Sequence, residues 1–170
     1  MQRYLISVIL LFLCTVMNMP SESLAETKGW EDTIPVSQAV NFDAEDLEGN
    51  AISLQDYAGE NILLVFFTTW CEVCQQELPM LSENYHSLQS EGIEVLAINM
   101  TASERNETDI QPFAEELEMP VVIDRDGRIS KSYGVKGIPT TYAVDKEQQI
   151  IQTFFGPLNK NEVLQAFEGE

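Results

Sequence analysis

The sequence predicts an α/β fold with a central mixed sheet flanked by helices and opened by an N-terminal β-hairpin. Three observations predict it. The run Ile62-Leu63-Leu64-Val65-Phe66-Phe67 is continuously apolar and rich in β-branched and aromatic residues, as a strand covered on both faces must be. Apolar positions at three- and four-residue spacing follow (Leu78, Leu81, Tyr85, Leu88), then a second stretch, Ile93 to Met100, that reads as the next buried strand. Strand, helix and strand in that order form a parallel crossover. Near the C-terminus, Thr141 to Asp145 and Ile150 to Phe155 are separated only by Lys146-Glu147-Gln148-Gln149, a loop too short for anything but an antiparallel hairpin, so the sheet is mixed.

Taken in order, the chain begins with Arg3 and then an apolar run from Tyr4 to Met17, interrupted only by Ser7 and Thr15. The run is shorter than the ~20 residues a membrane span needs, and Ser23-Leu24-Ala25 offers a small-x-small cleavage pattern. Residues 1–25 are therefore expected to be a signal peptide or an N-terminal membrane anchor, with residues 4–19 as the tether. Cys14 lies inside this run behind bulky Phe12-Leu13 and belongs to it rather than to a lipoprotein site. Residues 26–38 are polar with Pro35 and read as a linker, and the folded domain spans 39–170.

From Ala39, Val40-Asn41-Phe42-Asp43-Ala44 alternates as a strand does. Leu47-Glu48-Gly49-Asn50 turns, and Ala51-Ile52-Ser53-Leu54 completes the first hairpin. Gln55 to Gly59 is a short helical turn. The helix after the central strand contains Pro79, which should kink it, and Gly92 is its stop. Thr101 to Thr108 reads as a loop, Asp109 to Leu117 as a helix with Pro112 in its first turn, and Pro120 to Asp124 as a strand. Ile129 to Tyr133 forms a short helix ending at Gly134. Asn159 or Asn161 caps a last helix over Glu162 to Phe167.

The 170 residues less the leader make one domain large enough for its own core. A formal charge of −19, from 28 acidic and 9 basic residues, excludes a nucleic-acid-binding role on electrostatic grounds and disfavours docking on anionic lipid head groups. Such a charge serves solubility, or it selects a basic partner protein.

Chemistry is concentrated at Trp70-Cys71-Glu72-Val73-Cys74, where the central strand gives way to a helix. Cys71 is placed at the helix start and Cys74 one turn in. Free amides and the positive dipole end of a helix favour a thiolate, so Cys71 is the natural attacking sulfur. Cys74, three residues on, is positioned to resolve a mixed disulfide. The alternatives are half of a structural zinc site or an inert disulfide. A zinc site normally needs four Cys or His ligands, whereas the chain has three cysteines and the single His86, about three turns past Cys74. No metal and no other cofactor is expected. A binding-class alternative is a thiol-based Cu(I) carrier, although only Met80 lies near the motif as a further soft ligand.

The element order, with Trp70-Cys71-Glu72-Val73-Cys74-Gln75-Gln76-Glu77-Leu78-Pro79, Phe42 with Asp46-Leu47-Glu48-Gly49, Gly134-Val135 and Gly137-Ile138-Pro139-Thr140-Thr141, resembles the thioredoxin fold. More closely it is similar to the exported TlpA/ResA-type thiol-disulfide oxidoreductases, from about Ala39 to the end. The resemblance implies that the helix and strand between Met100 and Ile123 are an inserted unit. It further implies Cys71 as an exposed nucleophile, Cys74 as the resolving thiol and the two as a redox-active disulfide. Trp70, Ile138 and Pro139 become the substrate-binding residues, Pro139 as a cis-proline and Ile138 through its free backbone. Glu77 matches a glutamate kept near the disulfide by the ResA-like group, where it would accept Cys74's proton; the other reading is a solvated helix glutamate. Two departures stand out. Val73 replaces the proline many members carry, and Val65 occupies the position of thioredoxin's buried acid. Glu72 opposes the thiolate as a like charge, which leans toward a reductant. A peroxiredoxin signature, Pro-x-x-x-Thr-x-x-Cys, finds Thr68 in register with Cys71 but Leu64 in place of its proline.

The function expected from these residues is extracytoplasmic exchange of protein disulfides in the reducing direction. The resemblance adds cytochrome c maturation, with apocytochrome c as a disulfide-containing substrate, and a membrane thiol reductant as electron donor. The location expected is the periplasm or the outer face of the cytoplasmic membrane.

Overall fold

The computed structural model describes residues 37–168. The N-terminal apolar run, Cys14, the cleavage pattern and the linker up to residue 36 lie outside the described residues. The strands are β1 (Ser37–Gln38), β2 (Asp43–Glu45), β3 (Ala51–Ser53), β4 (Asn61–Phe67), β5 (Ile93–Asn99), β6 (Val121–Ile123), β7 (Thr140–Val144) and β8 (Gln149–Phe155). The helices are α1 (Cys74–Ser90), α2 (Ile110–Ala114), α3 (Arg128–Ser132) and α4 (Lys160–Ala166). The strands form one mixed sheet in the order β1-β8-β7-β4-β5-β6-β2-β3, parallel between β4, β5 and β6 and antiparallel elsewhere.

Every residue of β4 is buried, because the sheet is covered on both sides there. Strand alternation sends Leu63, Val65 and Phe67 to one face, against Leu78, Leu81, Tyr85 and Leu88 of α1 and Val163 of α4. Ile62, Leu64 and Phe66 face the other way, against Phe42, Leu54, Ile129, Tyr133 and Tyr142. Each fully buried Leu or Phe contributes about 1.5–3 kcal/mol of burial, so the strand that leads into the cysteines is firmly held from both faces. Gly92, with φ +77°, stops α1 in the left-handed conformation that glycine tolerates. Asn159 caps α4: its side chain accepts from the Asn161 and Glu162 amides, and Glu162 reaches back to the Asn159 N–H at 2.8 Å.

Several boundaries differ from the sequence reading. Ser37 and Gln38, left in the linker by their polarity, pair with Ile150 and Gln149 as the edge strand β1. The strand expected from Val40 begins only at Asp43; Ala39 and Phe42 are buried in the core, and among the described residues their backbones bond singly, the Ala39 N–H to the Gln148 carbonyl and the Phe42 carbonyl to the Leu54 N–H. The loop after β5 holds two 3-10 turns, Thr101–Ser103 and Glu107–Asp109. The helix expected to reach Leu117 stops at Ala114 and tails off in turns. The end of α1 agrees with the expectation: the helix runs past Pro79 and ends at Ser90, just before Gly92.

Candidate active site

β4 runs directly into Thr68-Thr69-Trp70-Cys71, and the turn that follows opens α1. Cys71 and Cys74 are joined as a disulfide with their Cα atoms 5.2 Å apart. α1 opens at Cys74, not at Cys71, because the Gln76 amide reaches the Val73 carbonyl and breaks the regular ladder one residue in. The Cys71 carbonyl still accepts the Gln75 N–H at 3.0 Å, so Cys71 sits on the lip of the helix. The Cys74 backbone N–H donates to Cys71 Sγ at 3.2 Å. A sulfur that receives an amide hydrogen bond at a helix N-terminus is favoured as thiolate, and the bond points to Cys71.

The expectation of an exposed Cys71 needs correcting. In the disulfide it keeps only 7 % of its surface and Cys74 none, and both belong to the core cluster that includes Leu63, Val65 and Phe67 of β4. Access to the pair is through Cys71 alone, past exposed Trp70 and Val73.

Glu77 is 2 % exposed, which overturns the solvated reading. It falls on the buried face of α1, one turn past Cys74, between Cys74 and Leu78 in the run of inward residues. Its Oε1 accepts the Leu158 N–H at 3.0 Å, and its Oε2 has no partner among the described residues. Burial pushes its pKa up to about 7, the Leu158 amide pulling weakly the other way. Leu158 packs in the same cluster as both cysteines.

The Ile138-Pro139 peptide is cis, as the resemblance implied. β7 lies antiparallel to β4 with Thr140 opposite Phe66, so Pro139 falls at the end of β4 that leads to Cys71. Ile138 is half-buried against the cysteine cluster, and its backbone makes no hydrogen bond among the described residues. The Gly156 N–H donates to the Pro139 carbonyl at 3.1 Å, so the segment from Gly156 to Leu158 ties the proline to Glu77.

Sequence reasoning missed a second constellation. Glu104, in the loop after β5, accepts the Thr69 N–H and the Asn99 Nδ2–H through Oε1, both at 2.7 Å, and the Thr69 hydroxyl through Oε2 at 2.7 Å. The Trp70 indole N–H donates to the Ser103 carbonyl at 3.0 Å, and the Arg105 guanidinium lies 4.5 Å from the Trp70 ring centroid. The Thr69 carbonyl accepts from Gln75 Nε2 at 2.7 Å. The only signal in the sequence was a polar residue, Asn99, closing the apolar stretch Val95 to Ile98.

A Cys-x-x-Cys disulfide at the mouth of a helix, beside a cis-proline on this mixed sheet, defines a thioredoxin-like protein built for sulfur exchange. Residues 35–153 match the AhpC/TSA family. The chain is 37% identical over 134 residues to the thiol-disulfide oxidoreductase ResA of Geobacillus thermodenitrificans, covering 78% of this chain and 75% of that protein. It is 35% identical over 161 residues to ResA of Bacillus thuringiensis, covering 92% and 89%. The crystal structure of StoA from Bacillus subtilis superposes with a TM-score of 0.68 at 28% identity, over 76% of this chain and 98% of that one. The chain belongs to the AhpC/TSA family, among its ResA-type thiol-disulfide oxidoreductases.

Proposed function

We propose that the chain reduces protein disulfides outside the cytoplasm, with Cys71 as nucleophile, Cys74 as resolving thiol and Glu77 as the base for Cys74. The Cys71 thiolate, held by the Cys74 amide, attacks one sulfur of a substrate disulfide; the S–S bond breaks, the leaving sulfur departs as thiolate, and Cys71 is left in a mixed disulfide. Cys74 then gives its proton to Glu77 and attacks Cys71 Sγ, which expels the second substrate thiolate and forms the Cys71–Cys74 disulfide. Two electrons pass from chain to substrate. A carboxylate with a pKa near 7 and one free oxygen suits a base that must take up a thiol proton near neutral pH. Ile138 offers its unpaired backbone to an extended substrate segment beside Pro139, with Trp70 flanking the sulfur.

Arg3 and the apolar run that follows support residues 1–25 as export signal or tether ahead of the domain. The alignment with the Bacillus thuringiensis relative is longer than the stretch from Ser37 to the end and takes in part of that region. Service in cytochrome c maturation, with apocytochrome c as substrate and a membrane thiol reductant as donor, rests on the family resemblance.

The observation that carries the reading is the Cys74 N–H on Cys71 Sγ in a pair open only at Cys71. The test is reduction of a disulfide-bridged peptide by the purified dithiol form, expected to be stoichiometric. Persistence of that reduction in Cys71→Ser would remove Cys71 from the mechanism.

A further inference from the structure

Glu104 takes no part in the chemistry proposed above, yet the residues leading into Cys71 hang on it. Thr69 is gripped on both sides, its N–H by Glu104 and its carbonyl by Gln75 of α1. The grip is braced from the sheet. Asn99 is fully buried at the end of β5, and its Oδ1 accepts the Thr101 hydroxyl at 2.9 Å, which turns its Nδ2 toward Glu104. With the Thr69 hydroxyl on Oε2, both carboxylate oxygens are engaged, so Glu104 holds Thr69 by backbone and side chain at once. Trp70 is then anchored to the neighbours of Glu104 on both sides, Ser103 and Arg105. Cys71 is the next residue. In the disulfide form its sulfur is held covalently by Cys74, but in the dithiol form the position of Cys71 depends on the turn that carries it.

We propose that Glu104 is a positioning residue for the Cys71/Cys74 couple: by fixing Thr69 it fixes the Trp70-Cys71 turn, and so keeps the two sulfurs within bonding reach when the disulfide is open. The inference rests on the exchange reading. Two thiols held in place close a disulfide more readily than two on a loosened turn, since the ordering is done before the bond forms. Removing the clamp therefore shifts the couple toward the dithiol.

The experiment is the equilibrium of the purified chain with a reduced and oxidised glutathione buffer, in a Trp30→Phe background that leaves Trp70 the sole indole. Glu104→Ala is expected to shift the equilibrium constant about tenfold toward the dithiol, ~30 mV for a two-electron couple, and to lower the Trp70 fluorescence anisotropy in the dithiol form. Glu104→Gln recovers most of both, because its Oε1 accepts the Thr69 N–H and its Nε2 donates to the Thr69 hydroxyl. A Glu104→Ala chain with unchanged equilibrium and anisotropy overturns the proposal. Equal damage in Glu104→Gln and Glu104→Ala overturns it too, since charge rather than the clamp would then be operating. If Glu104→Ala does not fold, Thr69→Val, which removes only the bond to Oε2, is read the same way: a shift toward the dithiol supports the proposal and none overturns it. A parent chain that does not exchange with glutathione at all strikes the exchange reading itself, and Glu104 with it.

Discussion

Replacing Glu77 with glutamine separates the cost of a buried base from its use. The folded pKa, about 7, lies above the ordinary 4.5, so the native chain holds the proton more tightly than the unfolded chain does. By linkage, protonation of Glu77 supports the fold fully below pH 4.5, and that support is lost as pH rises to about 7. A shift of that size at about 1.36 kcal/mol per pH unit makes the buried carboxylate cost about 3 kcal/mol in alkaline solution. Glutamine keeps an oxygen for the Leu158 N–H and carries no charge, and its Nε2 takes the place of an oxygen that already lacked a partner. Urea unfolding of the disulfide form at pH 4.5, 6 and 8 should show Glu77→Gln level with the parent in acid and about 3 kcal/mol more stable at pH 8. The same variant should resolve mixed disulfides on the order of 100-fold more slowly, the scale on which a general base acts. A Glu77→Gln chain that loses stability with pH as steeply as the parent would refute the buried-carboxylate account. One that resolves as fast as the parent would refute the base.

The acidic charge of the chain should make a disulfide-bridged cationic peptide a faster substrate than an anionic one of the same length at low ionic strength, and the two rates should converge near 1 M salt; stopped-flow measurement with equal rates at low salt would show that the charge does not reach the site. Leu81→Ala, in a side chain wholly buried between α1 and the sheet, should cost about 2–5 kcal/mol by urea titration while leaving the exchange rate of the folded chain near the parent's. A cost under about 0.5 kcal/mol would mean that α1 is not packed as described.

What was legible in the sequence was whatever a local pattern dictates. The unbroken apolar run of β4, the spacing of Leu78, Leu81, Tyr85 and Leu88, and Gly92 after the helix each constrain their own neighbourhood strongly enough to be read without partners. The cis bond at Pro139 was legible only through the family resemblance, because nothing in Gly137-Ile138-Pro139-Thr140 itself demands it. The errors came where distant residues decide. Ser37 and Gln38 become a strand only because Gln149 and Ile150 lie beside them. The choice between a buried and a solvated Glu77 stayed open in the sequence, since its hydrogen bond comes from Leu158, far along the chain. The Glu104 clamp was invisible for the same reason, since its partners are Thr69 in the turn after β4 and Asn99 at the end of β5. A polar residue closing a buried strand, as Asn99 does, is the one hint such a clamp leaves in a sequence.

Trapping the mixed disulfide tests the central claim most directly. Cys74→Ser, reduced and mixed with a disulfide-bridged peptide, should accumulate a covalent adduct through Cys71 that mass spectrometry of the digested chain locates. Cys71→Ser under the same conditions should accumulate none, because Cys74 has no exposed surface. An adduct on Cys74 in the Cys71→Ser chain, formed as fast as the one on Cys71, would contradict the assignment of nucleophile and resolving thiol on which the mechanism stands.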